Sequence, residues 1–84
     1  MKVFVAVYEH EYGSDVRVFG KQEDAYKWKD QIAYEWWDAE IPDEPMPETN
    51  IGDEYFKVMG ERWGDAEYFS IHHTMVEGEP ENDD

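Results

Sequence analysis

The seven residues from Lys2 to Tyr8 are apolar on both sides of a two-residue repeat, with Val3, Val5 and Val7 on one side and Phe4, Ala6 and Tyr8 on the other. β-Branched and aromatic residues in that alternation read as a strand, and a strand apolar on both faces belongs at the centre of a sheet. Glu9 to Asp15 supplies turn chemistry, with Gly13 open to positive φ and Asp15 able to bond its own backbone, and Val16 to Phe19 resumes as a short hairpin partner. Tyr68 to Val76 is the remaining strand. It places Phe69, Ile71, His73 and Met75 on one face and Tyr68, Ser70, His72 and Thr74 on the other.

Between the strands the period becomes helical. Ala25, Trp28, Ile32 and Trp36 recur at three- and four-residue steps from Gln22 to Glu40, and Glu23 and Asp24 fall in the first turn, where the helix dipole favours negative charge. Pro42, Pro45 and Pro47 end that helix by about Ile41 and make residues 41–51 an extended acidic linker. Asp53 to Trp63 reads as a shorter helix with Tyr55, Phe56, Met59 and Trp63 as its apolar stripe, weakened at Gly60. The expected fold is therefore α+β. A three-stranded, mainly antiparallel sheet is covered on one face by the long helix, in the order strand, strand, helix, short helix, strand. Residues 1–76 form the single domain. Residues 77–84, which hold no apolar side chain, form a disordered acidic tail. The direction of the last strand depends on how the second helix lies and stays open.

A domain of this size buries only about 60% of the surface its unfolded chain exposes, and there is no cysteine to staple it. Its 14 aromatic residues, four of them Trp, answer that need. Absence of cysteine also removes thiol catalysis, thiolate zinc and redox switching, and fits a reducing compartment. No run of about 18 apolar residues and no charged-then-apolar leader is read, so a cytoplasmic location away from membranes is expected.

The formal charge is -15, and its position matters more than its size. Before Asp30 the acids and bases cancel; from Asp30 onward 17 acids face only Lys57 and Arg62. Duplex binding rests on Lys and Arg displacing counterions, so direct nucleic-acid contact is not expected, and the natural partner is basic.

Catalytic patterns are missing. His10, His72 and His73 have no metal-ligand spacing, and adjacent His72 and His73 point to opposite faces of a strand, though His10 and His72 would meet with Glu67 or Glu9 if the outer strands paired. Serine and threonine sit in no nucleophile elbow, the glycines form no phosphate loop, and a domain this small has little room for a cleft of about 300 Å³. No cofactor or metal is expected. The unusual run is Tyr34-Glu35-Trp36-Trp37-Asp38. If Trp36 faces the core with Ile32, Trp37 turns sideways or outward, where it is either an interaction anchor or the floor of a satellite core under the proline-rich linker. The candidate partner-binding residues are Asp30, Glu35, Trp37, Asp38, Glu40, Asp43, Glu44, Glu48, Asp53 and Glu54. Spaced carboxylates of this kind can offer a charge density like that of a nucleic-acid backbone.

The segment Val-Tyr-Glu-His-Glu-Tyr-Gly-Ser-Asp-Val at 7–16, Tyr-Glu-Trp-Trp-Asp at 34–38, the proline-rich linker and Glu-Tyr-Phe at 54–56 resemble a group of short phage, prophage and plasmid proteins. The resemblance spans about residues 1–76 and implies no particular activity. In size and acidity the chain is also similar to DNA-mimicking phage inhibitors, among them anti-CRISPR proteins and inhibitors of restriction or of uracil-DNA glycosylase. The leading expectation is a non-enzymatic phage or mobile-element inhibitor, monomer or homodimer, that occupies a basic nucleic-acid-binding surface of a host protein, a CRISPR effector first among them. The alternative is a small structural or assembly protein, or a homodimeric interaction module, whose acidity serves solubility. An enzyme is the third reading, and tightly bound zinc would favour it.

Overall fold

A computed structural model describes residues 1–64 and 67–76, and the expected tail at 77–84 lies outside the described residues. Five elements follow in the expected order: β1 (Lys2–His10), β2 (Gly13–Phe19), α1 (Gln22–Glu40), α2 (Ile51–Trp63) and β3 (Tyr68–Met75). The sheet order is β2-β1-β3, so the doubly apolar strand is central, and both of its neighbours run antiparallel to it. This resolves the direction of the last strand. β2 and β3 are thus parallel edge strands, joined across β1 by the two helices.

The hairpin is tighter than turn chemistry over 9–15 suggests. His10 pairs with Gly13 across a two-residue turn, Glu11-Tyr12, and Ser14 and Asp15 already lie in the ladder opposite Glu9 and Tyr8. Gly13 closes the turn at φ +133°, a backbone region that side chains with a Cβ rarely enter.

One sheet face carries the first core. Ala6 and Tyr8 from β1 and Phe69 from β3 meet Ala25, Trp28 and Ile32 of α1, with Phe19, Phe56 and Ile71 at the margin. The Trp28 and Phe69 rings meet edge to face, 5.4 Å between centroids. A second core lies between α1, the proline-rich segment and α2, built from Ala33, Trp37, Ile41, Tyr55, Val58 and Met59. Phe56 touches both clusters and joins them.

The two helices settle one open reading, that of Trp37, and correct three expectations, those for Trp36, Trp63 and the start of the shorter helix. Trp37 is buried, 2% exposed, and its indole N–H donates to the Glu44 carbonyl at 2.9 Å, so it floors the linker and is not an exposed anchor. Trp36 is 47% exposed, and Trp63 also stands in solvent although it continues the apolar stripe of α2. The shorter helix starts at Ile51, two residues before Asp53, after Asn50 takes a left-handed conformation at φ 55°. The reason for the early start is a close approach. Gly52 is buried against α1, and its N–H donates to Asp30 Oδ1 at 2.9 Å.

Candidate partner-binding surface

The carboxylates singled out by sequence fall into three settings. Four of them tie the fold together. Asp30 takes the Gly52 N–H, Asp53 pairs with Lys29 Nζ at 2.6 Å, and Arg62 grips Asp43 with bonds of 2.8 and 2.9 Å and Glu44 with one of 2.6 Å. The Arg62 hydrogen bonds hold Asp43 below the ordinary carboxylate range, and the same bonds raise Arg62. These contacts staple the proline-rich segment to α2, so Asp43 and Glu44, though exposed, already have a partner within the molecule. Asp38, Glu48 and Glu54 form the second setting: exposed, with no hydrogen-bond or ion-pair partner among the described residues. Glu35 and Glu40 form the third, because they line a groove that the nominated list does not otherwise touch.

The groove, about 310 Å³, opens between the hairpin end of the sheet and the second half of α1. Trp36 forms one wall. It lies four residues after Ile32 and three after Ala33, so at about 100° per residue its side chain points between two buried ones. It is inward-facing by direction and half exposed by circumstance, since what it faces is open space. Tyr8, His10 and Tyr12 make a stepped wall opposite, with ring centroids 4.8 Å apart for Tyr8 and His10 and 6.3 Å for His10 and Tyr12. Among the described residues, five carboxylates, from Glu11, Asp15, Glu35, Glu40 and Glu67, line it against the single guanidinium of Arg17. Arg17 sits over the Trp28 ring at 4.6 Å from its centroid, and His10 Nε2 lies 3.1 Å from Asp15 Oδ2. A second hollow of about 340 Å³ shares Glu11, Glu40 and Glu67 and extends the groove to Met59 and Trp63. The expectation of little room for a cleft therefore underestimates the open surface this fold leaves.

Glu67 is the groove's structural hinge. Its Oε1 accepts the Tyr8 hydroxyl at 3.0 Å and the Tyr55 hydroxyl at 2.8 Å, linking sheet to α2. Burial first, then the Glu67 charge and hydrogen bond, push the Tyr8 phenol far up; for Tyr55 burial again leads, followed by the bond to Glu67. Both phenols stay protonated and keep donating.

The other candidate chemistry separates. His10 and His72 do not meet, because His72 pairs opposite Val5 while His10 lies at the other end and on the other face. Ser70 Oγ and His72 Nε2 stand 3.2 Å apart on an exposed strand face, an ordinary two-residue neighbour contact, and among the described residues no third group hydrogen-bonds to the imidazole to orient it. Among the described residues no group of three or more metal-ligating side chains converges, and no helix is long and apolar enough to cross a membrane. Sequence reading missed Trp36, Tyr12, Glu11 and Glu67 as groove residues. The helical period did place Trp36 beside Ile32; that it faces a groove depends on where the hairpin ends.

Comparison with protein-family models, with curated proteins and with solved structures finds no match to this chain.

Proposed function

We propose that the protein is a non-enzymatic binding protein that docks onto a basic, nucleic-acid-binding surface of a host protein, and that the groove beside Trp36 receives a basic side chain of that partner. The observation carrying this reading is the half-exposed Trp36 on the inward side of α1, facing a groove rimmed by five carboxylates. A Lys or Arg side chain entering there can stack on the indole, worth about 0.5–2 kcal/mol as a cation–π contact, and pair with carboxylates that offer the negative charge a phosphate would. Arg17 over Trp28 is the same pairing made internally. The unpartnered carboxylates of Asp38, Glu48 and Glu54 add a long-range field that steers a basic partner and is damped by salt. Inhibition follows from occupancy, since a protein seated on a nucleic-acid groove excludes the nucleic acid. A CRISPR effector carried against phage or plasmid is the specific target class this reading favours.

The test is capture from host extract at low salt with tagged protein, elution by a salt gradient, and competition with duplex DNA. A nucleic-acid-binding complex released by salt and by DNA is expected, and W36A and E35K/E40K should each lose it while keeping their circular dichroism. A partner that stays bound through high salt and ignores both variants would refute the assignment. Reversing Asp43 and Glu44 is a poor probe, because those residues hold Arg62 and the linker.

A further inference from the structure

The sheet has a second face, and neither core cluster includes it. Alternation sends Val3, Val5 and Val7 of β1, Val16 and Val18 of β2, and Tyr68 at the edge of β3 to this side. The register sets them in rows, Val18 and His72 flanking Val5, Val16 and Ser70 flanking Val7. Val16 and Val18 are 58% and 62% exposed, and Tyr68 is exposed with them. Single exposed valines are ordinary; five of them in adjoining rows on two strands, bordered on β3 by Tyr68, Ser70, His72 and Thr74, form a continuous patch of the kind an interface covers.

The face is also electrically quiet. Among the described residues, the one carboxylate that the strand register places on this face is Glu9, at the hairpin end opposite Ser14 and Tyr68. A basic partner finds only that one carboxylate, at the margin, to pair with. The surface that suits this face is another flat, valine-rich and nearly uncharged sheet, and a second copy of the chain carries one.

We infer that this face is the interface of a homodimer in which two sheets stack, with the helices outermost. Strands about 4.8 Å apart and about 20 Å of shared register, with their side-chain fringe, present on the order of 500 Å² per copy. Two copies bury about 1,000 Å², the lower limit for a specific interface, so a weak dimer that forms with rising concentration is expected. Stacked sheets lie about 10 Å apart, which places the acidic helices of the two copies roughly 20 Å or more from each other, beyond the screening length of about 10 Å at 0.1 M salt. Salt therefore tightens this dimer, by damping residual repulsion between two chains of charge -15, while it loosens a basic partner at the groove.

Sedimentation velocity on the full chain tests this, from about 10 μM to about 1 mM at low and at high salt. The expected result is a concentration-dependent doubling of mass that grows with salt, is abolished in V16K/V18K with circular dichroism retained, and is untouched by W36A. Lysine on an edge strand is a device natural sheets use against association. If V16K/V18K does not fold, Y68K on the opposite edge makes the same test. A chain that stays monomeric to about 1 mM at high salt, or a dimer that persists in V16K/V18K or in Y68K, overturns the inference.

Discussion

Replacing Gly52 with alanine puts a methyl group where α2 meets α1: the added Cβ would lie 2.6 Å from Asp30 Oδ1, 2.8 Å from Lys29 Cγ and 3.2 Å from the Asp30 backbone nitrogen. The Asp30 carboxylate cannot swing clear without releasing the Gly52 N–H that it accepts at 2.9 Å, and the backbone behind it cannot move without shifting α1. Either α2 backs away from Ala33 and Trp37, or the hydrogen bond is lost. Overpacking costs about 1–3 kcal/mol and a broken bond to a charged acceptor about as much, while alanine's helix propensity returns up to about 1 kcal/mol. A net loss of about 1–2 kcal/mol follows. With a urea m value near 1 kcal/mol/M for a domain this small, the midpoint should fall by about 1–2 M. Gly60 is the internal control. It is exposed on the same helix and an alanine Cβ there meets nothing within 4 Å, so G60A should raise the midpoint by about 0.5–1 M. Urea unfolding followed by tryptophan fluorescence and circular dichroism reads both. If G52A is as stable as the parent, or if the two variants move together, the close approach of α1 and α2 is not what anchors the second core.

Trp37 and its neighbour should separate cleanly: W37F forfeits the bond to Glu44 and part of the second core and should cost about 1–3 kcal/mol, whereas W36F should change stability by less than about 1 kcal/mol, both read by urea titration. Alkali should unfold the domain, because the Tyr8 and Tyr55 phenols are raised in the fold. Their contribution is intact below pH ~10 and is lost above it at about 1.4 kcal/mol per pH unit each, and a stability flat from pH ~10 to ~11 would contradict the Glu67 bridge. Acid acts with the opposite sign at Asp43, whose lowered value makes the Arg62 clamp complete above the ordinary carboxylate range and lost as pH falls through its folded value. The stability difference between the parent and R62Q, followed by urea unfolding, should therefore shrink below pH ~4.

What was legible in the sequence was what a local period encodes. The two faces of β1, the alternation of β3 and the inward positions Ala25, Trp28 and Ile32 all follow from periods of two and of about 3.6. Trp36 and Trp37 were not legible by the same means, because both point toward the core side of α1 and differ in what lies opposite. That is decided by Tyr55, Val58 and Ile41, which the proline-rich segment carries back over Trp37, and nothing local announces their landing place. The acids behaved likewise. Asp30 serving Gly52 and Asp43 serving Arg62 are pairings across 22 and 19 residues, so composition alone could not separate structural carboxylates from free ones. The same blindness hid Glu67, whose two tyrosine partners sit 59 and 12 residues away.

The groove itself follows from a mismatch of lengths. Nineteen residues of α1 extend about 28 Å at 1.5 Å each, while the stretch of β1 from Phe4 to His10, paired with β2, extends only about 20 Å. The helix begins at the Phe19 end of the sheet and outruns it at the hairpin, where Tyr12 stands exposed. Beyond that point α1 needs a second cover, and α2 with the linker supplies it on the Trp37 side only. Trp36 and Glu40 are left between the two covers, facing the hairpin across open space. Extending the hairpin by two residues per strand would lengthen the sheet by about 7 Å and close the gap over Trp36. That change should stabilise the domain and abolish partner binding together, which would identify the short hairpin as the feature that keeps an aromatic, acid-rimmed site open in so small a chain.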